Sequence, residues 1–185
     1  MSLKKNLKDK ILNSPQKELF FFDESRFGTH SNLGHGWFKK GEREAVKVKL
    51  GFDNFYLYSA INVNTGVDVS YLMPSINTQT MNEFLKMMCK ELEGKEIIIV
   101  MDGAGWHRSK SLEIPKNIEI MYLPPYSPEL NPVERFWAYI KNHVIKNKLY
   151  NSLNDLKEAL CNFLQNISFE QTLKTCSINY LTSLN

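Results

Sequence analysis

Short apolar and aromatic runs in the first part of the chain predict four β-strands. The run ELFFFDES predicts a buried strand that ends near Asp23. In AVKVKL the apolar residues alternate with lysines, and the β-rich runs NFYLYSAINV and VDVSYLM follow it. We expect these last three runs to form an antiparallel meander.

From Thr78 onward, the apolar residues recur at steps of three and four. Thr78 can cap a helix, which we expect to end near Gly94. The continuous apolar run EIIIVMD then closes on Asp102 and predicts a central strand covered on both faces, and NIEIMYL predicts a further strand. The pattern therefore changes from β to mixed α and β.

Helical spacing dominates the last third of the chain. The run PPYSPELNP predicts rigid irregular structure, and a long helix is expected from Pro132 to about Lys148. Two further helices are expected over about 152–165 and 168–182. This order predicts an α/β fold in which a mixed sheet, an antiparallel meander plus parallel strands, is flanked by helices.

Length and composition narrow the class of protein. A chain of 185 residues with 43% hydrophobic residues predicts one globular domain. We expect a basic leader over 1–16, one main domain over 17–150, and C-terminal helices over 151–185 that pack on the same domain. No apolar run is long enough to span a membrane, and the start lacks the pattern of a signal peptide, which indicates a soluble intracellular protein.

The net charge and the cysteines give little information about the function of the protein. The 23 basic and 20 acidic residues leave a formal charge of +3, which enzymes and nucleic-acid binders carry equally often. The three cysteines are odd in number, far apart and never in a C-x-x-C pair, which argues against a disulfide framework and against a zinc knuckle. Any nucleic-acid surface must therefore be sought in the local distribution of charge.

Two aspartates follow apolar strands. Asp23 and Asp102 each stand at the predicted carboxyl end of a strand, where ligands of open α/β sheets bind. If the strands are neighbours, the carboxylates converge and repel each other unless a cation lies between them, which predicts bound Mg²⁺ or Mn²⁺. The alternative for each is a turn residue or helix cap.

Glu134 is the third acidic candidate. Asn131 as N-cap, Pro132 as first helical residue and Glu134 as third would form a capping box, which by itself explains N-P-V-E. The rigid proline-rich approach to this helix also suits a carboxylate that must be placed accurately for a hard cation. Both roles stay open.

Three motifs in this order resemble a known family. The segments FFFDES, VMDGAGWH and LPPYSPELNPVERFW are similar to the catalytic motifs of the DDE transposases, in the bacterial insertion-sequence branch of the mariner-like superfamily. The resemblance spans roughly Glu18 to Lys148, and the third motif is the specific one. It implies that residues 17–150 form a catalytic domain with a ribonuclease-H-like fold, in which Asp23, Asp102 and Glu134 are the catalytic, metal-binding residues.

The resemblance also implies an activity. Two Mg²⁺ ions, with Mn²⁺ as a substitute, would support cleavage of DNA at element ends and transfer of the freed 3′-hydroxyl into target DNA. Implied partners are double-stranded DNA and a second copy of the chain, in a prokaryotic cytoplasm. A nuclease without joining activity and a non-catalytic, DNA-binding or oligomerising remnant are the alternatives.

Other residues near the motifs are candidates for supporting roles. His107 can contact the scissile phosphate or orient a water, or can make only a local hydrogen bond; Asn131 is the other auxiliary candidate. The DNA-binding candidates are Arg26, Arg135, Lys141 and Lys148. On an unbroken helix Lys141 and Lys148 would share a stripe with Glu134 that a DNA strand could follow, although a plain solvated face explains the lysines equally well.

Family transposases carry helix-turn-helix DNA-binding segments before the catalytic domain, and the leader before Phe20 is too short to hold them. We therefore expect the chain to represent a catalytic half. An excised domain, a truncated copy and one frame of a split transposase are all compatible with the sequence.

Overall fold

The computed structural model of the protein describes residues 14, 16–28 and 53–178. Most of the predicted leader and the AVKVKL strand lie outside the described residues. The last predicted helix, expected over about 168–182, ends at Thr175, because the chain leaves the helical path at Cys176. The elements are β1 Glu18–Gly28, β2 Asn54–Asn62, β3 Asp68–Met73, α1 Thr78–Glu91, β4 Ile97–Met101, β5 Ile118–Tyr122, α2 Val133–Ile140, α3 Leu153–Asn166 and α4 Phe169–Thr175.

The five described strands form one mixed sheet in the order β3-β2-β1-β4-β5. β1 lies at the centre, antiparallel to β2 and parallel to β4, while β4 and β5 are parallel. β3 pairs with β2 in an antiparallel arrangement. The predicted mixed sheet is thereby confirmed for these strands.

The end of β1 differs from the prediction. The strand does not stop near Asp23 but continues to Gly28, because β2 pairs with it as far as Asn54. β4 accompanies β1 only up to the pair Phe21–Val100. Asp23 therefore lies where β1 has lost its parallel neighbour but keeps its antiparallel one.

Alternation along β1 builds a hydrophobic core on each face of the sheet. Phe21 and Phe27 pack on the face covered by α2 and α3, whereas Phe20 and Phe22 pack on the face covered by α1. Burying each phenylalanine contributes about 1.5–3 kcal/mol, so both faces are strongly specified. The consecutive residues of β1 thus face opposite layers.

The helix starts are set by side-chain caps. α1 is capped by Asn77 rather than by Thr78, and Asn77 forms a capping box with Thr80. α1 ends before Gly94, whose φ of +80° is in the region that favours glycine. Ser152 caps α3 in a second capping box.

The helix after the proline-rich segment is shorter than predicted. α2 ends at Ile140 and continues as one π-helical turn over Lys141–Ile145, so the helical path stops before Lys148.

The helix α3 packs on the sheet, since its Leu156 and Leu160 belong to the same core as Phe21 of β1. In the described part of the chain, no helix is long and apolar enough to cross a membrane.

Candidate active site

Three acidic side chains from three elements line one cavity of about 580 Å³. They are Asp23 on β1, Asp102 directly after β4 and Glu134 in the first turn of α2. The other lining residues are Gly103, Ala104, Arg108, Leu123, Pro124, Pro125, Tyr126, Ser127, Pro128 and Asn131. The proline-rich segment thus forms one wall, and the acids predicted from the sequence come together.

Asp23 is the most buried acid of the three. Its Oδ2 accepts a hydrogen bond of 2.7 Å from the indole Nε1 of Trp137. Burial raises the pKa of Asp23 to about 7, and the nearby charges of Glu24 and Glu134 act in the same direction, against the lowering effect of the Trp137 hydrogen bond. At neutral pH this carboxyl is close to its own pKa.

Asp102 is held differently. Its Oδ1 accepts hydrogen bonds from His107 Nδ1 at 2.7 Å and from the backbone N–H of Ala104 at 3.1 Å. The His107 hydrogen bond lowers the pKa of Asp102, outweighing partial burial. With 58% of its side chain exposed, Asp102 presents an ionised carboxylate to solvent at the cavity.

His107 lies beneath Asp102 and is only 1% exposed. Its Nε2 is 3.3 Å from Oε1 of Glu24, so the ring stands between two carboxylates. Burial lowers the pKa of His107, but the interactions with Asp102 and Glu24 outweigh it and raise the pKa to about 9. This geometry favours the local hydrogen bond over contact with a phosphate, because the ring has almost no exposed surface.

Glu24 is a residue that the sequence reasoning missed. Its side chain is 5% exposed, and Oε1 accepts a 2.7 Å hydrogen bond from Trp106 Nε1. Within the described residues, its Oε2 is buried without a hydrogen-bond partner. Because successive strand residues face opposite ways, Glu24 lies on the face of β1 opposite to Asp23, where it contacts the His107 ring that holds Asp102.

Glu134 does not form the expected capping box. The cap position of α2 is occupied by Pro132, which makes no side-chain cap hydrogen bond, and the Glu134 side chain is exposed. Asn131 is buried instead: its Nδ2 donates to the carbonyl of Phe22 at 2.9 Å, and its Oδ1 accepts from the N–H of Val133 at 3.2 Å. Asn131 thus ties the start of α2 to β1 next to Asp23.

The donor set fits a hard divalent cation, because all three acids offer oxygen ligands to one cavity. A cation between Asp23 and Glu134 would also relieve the repulsion that raises the pKa of Asp23. However, no group of three or more potential ligands in the described residues is close enough to hold a metal ion. The acids share the cavity without meeting at one coordination point.

Two of the DNA-binding candidates lie away from the cavity lining. Arg26 is exposed on β1, on the face opposite to Asp23. Arg135 donates from Nε to the carbonyl of Thr175 at 2.9 Å and from Nη2 to the carbonyl of Ser177. Its guanidinium therefore anchors the segment after α4.

The two lysine candidates do not share a stripe. Lys141 lies in the π-helical turn with its Nζ 5.8 Å from the centre of the Phe27 ring. Lys148 follows the turn, and its Nζ donates to the carbonyl of His143 at 2.6 Å. The predicted stripe through Glu134 is wrong, because the helix does not continue to Lys148.

Comparison with known proteins identifies the family. The sequence model of the DDE superfamily endonucleases matches residues 18–157, which include all three acids. The chain belongs to this family. Over 161 residues this DDE domain is also 26% identical to the insertion element IS630 uncharacterized 39 kDa protein of Shigella sonnei, covering 84% of the chain and 47% of the relative.

A second curated relative is an uncharacterized protein of Sinorhizobium fredii. It is 35% identical over 85 residues, which are 45% of the chain and 63% of the relative. The matched part of the DDE domain thus spans roughly half to just under two thirds of the length of these relatives.

Solved structures of Mos1 complexes share the fold of the DDE domain. The Mos1 strand transfer complex has a TM-score of 0.73 at 17% identity, and the Mos1 transposase paired-end complex with left transposon end has 0.71 at 15%. Each match covers 94% of the chain and 55% of the other chain. With the mixed sheet, this likeness confirms the predicted ribonuclease-H-like α/β fold.

Proposed function

We propose that this DDE endonuclease domain is the catalytic domain of a DNA transposase. It cleaves DNA strands at element ends and joins the freed 3′-hydroxyl to target DNA. The observation that carries the proposal is the convergence of Asp23, Asp102 and Glu134 from three elements on one cavity, in a chain of this family. The relatives named for an insertion element and for transposase complexes support the same substrate class.

Asp23, Asp102 and Glu134 are the residues that would hold divalent cations. When bound, two ions would activate the attacking hydroxyl and stabilise the leaving oxygen of a phosphodiester. Related Mos1 paired-end complexes are described with Mn and with Mg, which supports these two metals. Closure of the acids around the ions requires movement of side chains, because the described residues form no three-ligand group.

The protein groups around the acids have distinct tasks. Trp137 keeps the buried Asp23 in place through a hydrogen bond that favours its ionised form. His107 orients Asp102, and Asn131 fixes the start of the helix that carries Glu134. These contacts fix the backbone positions from which the three carboxylates reach the cavity, as accurate positioning of a phosphodiester requires.

The remaining proposals concern the working assembly. Double-stranded DNA, as element end and as target, is the substrate, and a homodimer is the active form because two ends must be processed together. The site of action is the prokaryotic cytoplasm. We also propose the domain division at residues 16 and 150. The family match over residues 18–157 begins close to the first boundary and extends past the second.

A cleavage assay tests the proposal. The chain is incubated with element-end and random duplexes in Mg²⁺ or Mn²⁺, beside Asp23→Asn, Asp102→Asn and Glu134→Gln. Glu129→Gln is the matched control, because Glu129 is exposed in the same proline-rich segment but does not line the cavity. We expect each triad variant to lose cleavage and the control to keep it.

The outcome also separates the alternatives. Joined products support the transposase, whereas hydrolysis without joining supports a plain nuclease. Duplex binding without cleavage by the unaltered chain supports a non-catalytic remnant. Nicking that persists in all three triad variants contradicts the assignment of the acids.

A further inference from the structure

Arg108 lies in the same cavity as the three acids. Its guanidinium carbon is 4.4 Å from the centre of the Tyr122 ring, a cation–π distance. The Tyr122 hydroxyl donates to the carbonyl of His107 at 2.5 Å, which fixes the ring beneath the guanidinium. Arg108 is therefore positioned by the loop that positions Asp102.

Gly103 leaves the space that the guanidinium occupies. A Cβ atom added at this glycine would lie 2.7 Å from Nε and 2.9 Å from Nη2 of Arg108. Carbon and nitrogen atoms do not pack at such distances, so a side chain at position 103 would displace the guanidinium. The absence of a side chain directly after Asp102 thus allows Arg108 to lie against the backbone there.

The N–H donors of the Arg108 guanidinium are available to bind a ligand. Within the described part of the chain, Arg108 makes no ion pair with a carboxylate, although three acids line the same cavity. Stacking on Tyr122 uses the face of the guanidinium, whereas its N–H groups point outward in the plane of the fork. An arginine held in this way is ready for a ligand with paired oxygen acceptors.

We propose that Arg108 is a phosphate-binding residue that holds the DNA backbone at the carboxylate cavity. A phosphodiester brought near three acids is repelled by them, and a fixed cation in the same cavity offsets this repulsion. Arginine binds two phosphate oxygens at once, which also fixes the orientation of the phosphate. This inference deepens the proposed function and rests on it.

A double-mutant cycle on the full chain tests the assignment. Binding of a fluorescently labelled DNA duplex is measured by anisotropy over a salt series in EDTA. The variants are Arg108→Ala, Gly103→Ala and the combination of both, and the matched control is Lys90→Ala, since Lys90 is exposed on α1 outside the cavity. Thermal melting of each variant reports whether it is folded.

For Arg108→Ala we expect roughly tenfold weaker binding at low salt and a salt slope smaller by about one, as loss of one phosphate contact requires. Gly103→Ala should weaken binding to a similar extent without lowering the melting temperature, because only a flexible side-chain end is displaced. The combined variant should bind no worse than Arg108→Ala, since both changes remove one contact. Lys90→Ala should bind as the unaltered chain does.

The opposite results overturn the inference. Equal binding and equal salt slopes for Arg108→Ala and the unaltered chain exclude a phosphate contact, and additive losses in the combined variant exclude the joint action of Gly103 and Arg108. If Arg108→Ala melts early, Arg108→Gln, which keeps the stem but not the charge, replaces it. An unaltered chain that neither binds nor cleaves duplex DNA overturns the proposed function as well, whereas cleavage unaffected by Arg108→Ala overturns only this inference.

Discussion

Replacing Asp23 by asparagine should stabilise the metal-free protein at alkaline pH. Asparagine can still accept the Trp137 hydrogen bond but carries no charge, so the substitution removes the burial of a carboxylate. The pKa of Asp23 is raised from 3.8 to about 7 in the folded protein. The folded state therefore binds this proton more tightly than the unfolded state does.

The sign and size of the effect follow from this linkage. Because folding raises the pKa of Asp23, tighter binding of its proton stabilises the folded state. This contribution to stability is fully present below about pH 4 and is lost as the pH rises through about 7. A shift of roughly three pKa units corresponds to about 4 kcal/mol. At pH 8 we expect Asp23→Asn to unfold with a free energy higher by up to about 4 kcal/mol, and at pH 4 by less than about 1 kcal/mol.

The assay is denaturant unfolding of both proteins in EDTA at several pH values. Other titrating groups cancel in the difference between the two proteins, so the difference itself should grow between pH 4 and pH 8. Adding Mn²⁺ at pH 8 should stabilise the unaltered chain more than the variant. A difference that does not change with pH, or a variant that is less stable at pH 8, refutes the reasoning.

Three further predictions each concern a single residue that the fold buries or constrains. Gly66→Ala should destabilise the fold by several kcal/mol, because Gly66 has a φ of +78° and an added Cβ would lie 2.0 Å from the Phe169 carbonyl oxygen; thermal melting measures the loss. Asn131→Ala should lower the unfolding free energy by about 1–3 kcal/mol, since the carbonyl of Phe22 loses its buried donor; unchanged stability in denaturant contradicts this. Burial raises the pKa of Cys176 to about 12, so iodoacetamide at pH 8 should alkylate it only upon unfolding, as mass spectrometry of native and denatured samples can establish.

Most of the described strands could be read from local patterns, because a buried strand needs a run of apolar residues wherever it lies. The run EIIIVMD closed on Asp102 as predicted, and β4 occupies Ile97–Met101. The end of β1 could not be read in this way. It depends on pairing with β2, which holds Asp23 and the next five residues in the sheet.

Helix boundaries likewise could be predicted only in part from local patterns. Capping is local, yet Asn77 and Thr78 are both suitable cap residues, and the structure places the cap at Asn77, whose side chain accepts from the N–H of Thr80. α2 ends earlier than its apolar spacing predicts, because the segment after Ile140 forms a π-helical turn. The stripe of Lys141 and Lys148 failed for this reason.

Local patterns were sufficient to predict the mixed α/β fold, the family and the three acids as candidate site residues, because periodicity and a rigid motif are properties of neighbouring residues. The surroundings of each acid depend on contacts between residues that are far apart in the chain. Trp137 is 114 positions from Asp23, and Trp106 is 82 positions from Glu24. Contacts at such separation arise from strand order and helix packing, so the buried support of Asp102 and the place of Arg108 at the cavity became visible only in the folded chain.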